Sequence, residues 1–192
     1  MKKVAVLVLL CCAGTVYADM QKSDQPVWSV STHVLNLLST GVGVEAEYHG
    51  FGPIGVFGGG YVNFYDSTGV LTDMSGGSVV GGAKYYFGYA DKGLDSFFIG
   101  PELQYYTIDQ EYENAHHFKQ ETIGALLLFG KRWMLNPFFI EASVGAGAVH
   151  NMTLHADEGF WDMSRSDAEK VGEREGKMGL GLDLKLLAGY SF

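Results

Sequence analysis

Apolar and polar residues alternate with a period of two over segments of about ten residues, the pattern of strands with two unlike faces. The last segment shows it best. Leu180, Leu182, Leu184, Leu186, Ala188, Tyr190 and Phe192 share one face, and Gly181, Asp183, Lys185, Leu187, Gly189 and Ser191 share the other. Similar segments lie at 28–37, 42–49, 54–65, 78–89, 96–106, 119–133 and 138–150. In the first, Ser29, Ser31 and His33 alternate with Trp28, Val30, Thr32 and Val34. In the second, Gly43, Glu45, Glu47 and His49 alternate with Val42, Val44, Ala46 and Tyr48. A soluble sandwich also alternates but buries its apolar face against a second sheet. An apolar face turned outward over a polar or small inner face is what a lipid-embedded barrel requires.

Connections fall short and long in turn. Residues 50–53, 90–95 and 135–137 are compact and carry Gly, Pro or Asn, whereas 66–76, 107–118 and 153–177 are longer and more polar. The first connection, 38–41, is short for its place. One long strand over 34–48 would leave seven, but single-chain bacterial barrels have even strand numbers. The expected fold is all-β, an eight-stranded antiparallel up-and-down transmembrane β-barrel over 27–192. Its long loops face outside and both its termini face the periplasm.

The N-terminal segment reads differently. Lys2 and Lys3 precede an apolar run over 4–10, and Val16-Tyr17-Ala18 resembles a cleavage site, so 1–18 is expected to be a removed secretory signal. That run is too short for a transmembrane helix, which needs about 20 apolar residues. Residues 19–26 form a short periplasmic lead-in. Both cysteines, Cys11 and Cys12, fall in the removed segment, which excludes disulfides and thiol chemistry from the mature chain. Without Lys2 and Lys3, 11 basic residues face 22 acidic ones, and net charge moves from −9 to −11. An acidic balance of that size disfavours a nucleic-acid partner. Abundant glycine (27 residues) and 14% aromatics suit closely packed strands with aromatic girdles.

Taken together, the signal segment, the eight alternating stretches and the terminal Leu187-Ala-Gly-Tyr-Ser-Phe192 resemble the small bacterial outer-membrane barrels of the OmpA, OmpX and OmpW kind. The stretch from Pro137 to Ala148 also resembles a strand of that group. The resemblance implies outer-membrane localisation, with membrane lipid and lipopolysaccharide as surroundings. It also implies recognition of Leu184, Leu186, Tyr190 and Phe192 by the barrel-assembly machinery. It says little of activity.

If the apolar alternates face outward, His33, Glu45, Glu47, His49, Asn63, Lys84, Glu102, Gln104, Glu141, Asp183 and Lys185 point into the lumen. Segment 119–133 is ambiguous, being apolar on both faces. If Glu121 and Lys131 face inward, Ile123, Ala125, Leu127 and Phe129 join them. An eight-stranded barrel is just wide enough for side chains to fill, and charges so enclosed must pair. The expectation is a filled network of Glu45, Glu47, Lys84, Glu102, Glu141, Asp183 and Lys185. The alternative is a narrow pore, which an excess of carboxylates over lysines would make cation-selective.

Candidate chemistry is sparse. A lipid-modifying hydrolase needs a hydroxyl, a base within reach and an orienting group. Around His33, His150 and His155 no His-x-Ser order occurs, so no enzyme is expected. His116-His117 with Glu111, Glu113 and His155 lack zinc spacing, so neither metal nor other cofactor is expected. Loop 153–177 mixes both charges around Phe160 and Trp161, with a short helix expected over 166–176, Ser166 capping it and Glu169 completing a capping box. Phe160 and Trp161 are the candidate contacts for a host or other surface ligand. The expected role is non-enzymatic, in envelope integrity, adhesion or surface interaction. A small cation or hydrophobic-solute channel is the alternative, followed by lipid A modification.

Overall fold

The structure, a computed structural model, describes residues 27–35, 41–65, 71–112, 116–157 and 165–192; of these, 63–65, 71–74, 111–112, 116–117, 165–167 and 172 are described by backbone alone. The expected signal and lead-in, together with Phe160 and Trp161, lie outside the described residues.

Eight strands follow one another: β1 (Trp28–His33), β2 (Gly41–Phe51), β3 (Ile54–Tyr65), β4 (Leu71–Tyr86), β5 (Phe97–Tyr112), β6 (His116–Leu135), β7 (Phe138–Ala156) and β8 (Met178–Ser191). Each pairs antiparallel with the next and β8 pairs with β1, closing an up-and-down barrel. β1 and β2 are separate paired strands, so the seven-strand alternative does not hold. Paired residues can be followed once round from Leu135 through Phe138, Tyr190, Val30, Ala46, Gly58, Gly81 and Leu103. The path returns to β6 at Ala125, ten residues from its start. With strands about 4.8 Å apart and rising about 3.3 Å per residue, that stagger tilts them by about 40° and sets the backbone about 8 Å from the axis.

One rim carries tight connections. Gly52 (φ 64) turns β2 into β3, and a Pro137 turn joins β6 to β7. A four-residue helix, α1 (Tyr89–Lys92), lies between Gly88 (φ 71) and Gly93 (φ 57) and links β4 to β5. Both flanking positions need the left-handed backbone that glycine adopts without strain. The barrel's two chain ends meet here, Trp28 N donating to Phe192 O at 2.9 Å and Phe192 N to Trp28 O at 2.8 Å.

At the other rim the structure departs from the expected boundaries. β4 starts at Leu71, β5 runs to Tyr112 and β7 to Ala156, well into stretches read as loops. The β5–β6 register continues unbroken to Tyr112↔His116, because ladder hydrogen bonds come from the backbone and do not require apolar side chains. β1 is shorter than expected, since Val34 and Leu35 are helical. Helix α2 (Arg165–Gly172) starts one residue before Ser166, which therefore lies inside it rather than at its cap. In β7 the register shifts by one between Thr122↔Asn151 and Glu121↔Thr153. This bulge reverses the alternation, so Leu154 and Ala156 are buried where odd-numbered residues point inward earlier in the strand.

The outer wall is apolar, and Leu180, Leu182 and Leu184 are each more than 70% exposed. Near the tight-turn rim aromatic rings gather in pairs: Trp28 with Tyr48 (centroids 4.8 Å), Tyr85 with Phe87 (5.4 Å) and Phe138 with Tyr190 (5.4 Å). Inside, large side chains lie against glycines. Glu47 occupies the space a Cβ on Gly55 would take, Phe57 that of Gly82, Phe98 that of Gly130 and Phe139 that of Gly189. Alternating large and small residues is how a narrow barrel fills its interior.

Gly82→Val is therefore expected to lower the denaturant midpoint, overpacking costing about 1–3 kcal/mol. Outward Gly58, whose added Cβ meets nothing nearer than 3.8 Å, is expected to accept valine with little change. Equal midpoints for the two variants would contradict the filled lumen.

Candidate functional site

The inner faces of β2, β4, β6 and β7 bring a charged cluster to the tight-turn half of the lumen. Lys84 is its centre. An ammonium has three N–H donors, and Lys84 Nζ directs them at Glu141 (2.7 Å), Glu45 (3.0 Å) and Glu47 (3.1 Å). Arg132 completes the lattice. Its Nε and Nη2 donate to Glu141 Oε2 at 2.9 and 2.6 Å, and Nη2 also donates to Glu47 Oε2 at 2.5 Å. Tyr86 donates its hydroxyl to Glu47 Oε1 at 2.7 Å. All these side chains are buried.

Aromatic rings close round the cations. Lys84 Nζ is 4.6 Å from the Phe57 centroid and 5.2 Å from that of Phe98, while Arg132 lies over Phe139 at 4.3 Å and Tyr86 at 5.3 Å. Desolvated cations facing aromatic rings gain quadrupole attraction, and the rings exclude the water that would otherwise weaken the pairs. The result is a plug across the barrel.

A second, smaller group sits further toward the loop side. Lys185 contacts Glu102 closely and lies 3.9 Å from Glu45 and 3.8 Å from Asp183. Of the expected lumen residues, His33, Glu45, Glu47, His49, Lys84, Glu102, Glu141 and Lys185 are buried, while Gln104 and Asp183 are half-buried. The side chain of Asn63 lies outside what is described.

On β6 the inward option weighed for Glu121 and Lys131 is overturned. Ile123, Leu127 and Phe129 are about half exposed on the outer wall, whereas Thr122, Leu126, Leu128 and Arg132 are buried inside. Lys131 instead pairs outside with Asp95 at 3.2 Å. Sequence reasoning therefore missed Arg132. Counting back from the tight turn would have found it, because Leu135↔Phe138 pairing puts Arg132 opposite Glu141.

A second arrangement was also missed. Ser29 Oγ lies 3.0 Å from His49 Nε2, and His49 Nδ1 is 3.6 Å from Glu47 Oε1. The order hydroxyl, imidazole, carboxylate is that of a hydrolytic triad. Here, however, Arg132 Nη1 reaches the same Nε2 at 3.3 Å, competing for the lone pair a general base must offer. All three residues are buried, so Ser29 is not open to an acyl substrate. Ser31, which shares the inner face with His33, donates instead to the Glu45 carbonyl at 3.4 Å.

At the loop side Gln120 donates to Tyr106 and Thr122 at 3.1 Å, and Thr122 to Asn151 at 3.0 Å. The turn after α2 is tied to the same strand, Gly176 N donating to Asn151 O at 2.7 Å. Of the loop histidines, His155 pairs with Asp157 at 2.9 Å, while the side chains of Glu111, Glu113, His116 and His117 are not among those described. No cluster able to hold a metal occurs among the described residues. Of the terminal residues, Leu184 is exposed on the outer wall, Leu186, Tyr190 and Phe192 are half-buried, and Tyr190 and Phe192 sit at the tight-turn rim.

These features define a closed eight-stranded barrel whose tight-turn half is filled by ion-paired side chains. No protein-family model, curated protein or solved structure matches the chain.

Breaking a buried pair strands its partner's charge at a cost of about 3–5 kcal/mol. Arg132→Met is expected to destabilise the barrel by that order in urea unfolding, and Arg132→Met with Glu141→Leu to recover part of the loss. A double variant no better than the single would remove the pairing from the account.

Proposed function

We propose that this chain is a non-enzymatic bacterial outer-membrane protein of the small OmpA, OmpX and OmpW-like kind. Its barrel is a sealed anchor, and its loop-side rim serves envelope integrity, adhesion or surface contact. The observation that carries the reading is the inversion of the usual soluble pattern. A cluster of ionised side chains is paired and buried inside while leucine, valine and phenylalanine dominate the outside. Water leaves so broad an apolar surface unsatisfied, whereas hydrocarbon suits it, because closure satisfies every ladder without an open edge. The ring pairs near the tight-turn rim suit a lipid interface, and short turns at that rim support a reading in which the chain ends lie on the periplasmic side and the longer loops outside. Those loops include Phe160 and Trp161, the contacts proposed for a host or surface ligand. Leu184, Leu186, Tyr190 and Phe192 present the terminal pattern proposed for the barrel-assembly machinery.

The channel alternative is weakened by Arg132. With it, five lumen acids (Glu45, Glu47, Glu102, Glu141 and Asp183) face three cations rather than two, and the Lys84–Arg132 plug crosses the lumen. The hydrolase alternative is weakened by the burial of Ser29 and the occupied Nε2 of His49.

Cell fractionation is expected to recover the protein with the outer membrane. Phe160→Ala with Trp161→Ala is expected to reduce surface binding while leaving insertion intact. A complete deletion of 157–177 that changes no surface phenotype would leave the interaction role without support. Planar-bilayer recordings of the folded protein are expected to give no resolvable conductance, and a steady cation current would replace the anchor reading with the channel. Lipid A mass spectra from cells with and without the protein are expected to be identical.

A further inference from the structure

The lumen is not filled equally along its length. Inward charged side chains on the tight-turn side of Lys185 are buried. Asp183, one step nearer the loops on β8, keeps 26% of its side chain exposed, and Tyr61, Gln104, Tyr106 and Val149 on the inner wall are half-buried. The accessible space beside Asp183 is thus a cup in the loop-side half, with Lys185 at its floor, Tyr61, Tyr106 and Val149 on its wall, and the buried Leu126 and Thr122 filling the lumen alongside.

Its charge is unbalanced. Lys185 is taken up by its close contact with Glu102 and, at 3.8 Å, is too far from Asp183 to donate a hydrogen bond. Glu102 and Asp183 therefore share one cation, leaving a net negative charge. Lys84 offers no relief, since its three donors go to Glu45, Glu47 and Glu141. Seven buried side-chain polar atoms meet no hydrogen-bond partner among the described residues, and His33 Nε2 and Glu102 Oε1 are the two that lie nearest Asp183 in charge and field. Buried polar groups are seldom left so. His33 and Glu102 both lie within electrostatic reach of Asp183, and the His33 ring is 5.5 Å from that of Tyr61.

We propose that this cup binds a small organic ammonium ion, its head on Asp183 and its carbon frame against Tyr61, Tyr106 and Val149. The net charge selects against anions. A divalent metal lacks the three converging ligands it needs among the described residues. Aromatic walls favour a weakly hydrated organic cation over hydrated sodium, because ring faces attract a cation only once it sheds water. Glu102 and His33 act at one remove, as the negative and polar field behind Asp183.

The full chain, folded in detergent micelles, is titrated calorimetrically with n-butylammonium and tetramethylammonium chlorides at constant ionic strength. Sodium chloride and 1-butanol are the comparison ligands. Saturable one-to-one binding of the ammonium salts is expected, with neither comparison ligand binding comparably. Asp183→Asn removes one charge-assisted contact and is expected to weaken binding by about tenfold or more. Asp183→Lys places a cation in the cup and is expected to abolish binding. Because a lysine variant can misfold, imidazole NMR of the unaltered protein supplies a second measurement, in which His33 shifts on titration and exposed His155 does not. The proposal is overturned by lack of saturable binding, by undiminished affinity in Asp183→Asn, or by a stationary His33 signal. Sodium binding as tightly would show a generic counter-ion site, and 1-butanol binding as tightly a merely apolar cup; either result also overturns it. The measurement is made in detergent, so its outcome is independent of where the protein resides in the cell.

Discussion

The structure depends on one electrostatic constraint: where a narrow lumen excludes water, a charge is admitted only with a partner beside it. Lys84 and Arg132 answer it by sharing carboxylates rather than taking one each. Glu47 and Glu141 accept from both cations, and Glu45 links the lattice toward Lys185. Sharing ties five strands (β2, β4, β6, β7 and β8) across the lumen, in directions the backbone ladders do not reach. Ladders join only neighbours round the wall. The plug is the set of spokes.

The same constraint accounts for the interior glycines. A carboxylate from β2 meets a lysine from β4 only if β3 between them leaves room, and Gly55 lies against Glu47. Phe57, on that same strand, rests on Gly82 and stands 4.6 Å from Lys84 Nζ. Small residues are thus placed where a neighbour's long side chain crosses the barrel, and the plug could not be assembled from large residues alone.

Much of the fold was legible because period-two alternation reports which face is which, and β2 and β8 display it cleanly. Legibility failed where both faces are apolar. On β6, Leu126 and Leu128 point inward while Leu127 and Phe129 point outward, a distinction that hydrophobicity cannot draw and that hid Arg132. It failed again at the bulge near Met152, since one inserted residue reverses every later side chain without a mark in composition. Strand ends in polar stretches were read as loops because backbone pairing leaves little trace in side-chain chemistry. In the candidate site, the inward acids and lysines followed from parity. Which acid meets which cation did not, because the Lys84–Glu141 contact spans 57 positions of sequence and exists only after the ring has closed.

β1 is the shortest strand, six residues against twenty in β6, and its described pairing with β8 runs from Ser29 to His33, extended at one end by the Trp28–Phe192 hydrogen bonds. That makes the seam between the first and last strands a brief one. Locally connected hairpins, with their neighbours adjacent in the chain, have little loop entropy to overcome. The seam alone must join residues separated by nearly the whole barrel. Closing the ring therefore rests on one non-local joint, with β1 as the stave that must meet β8. The same stave, held by the fewest rungs, is where the finished cylinder would first come unfastened.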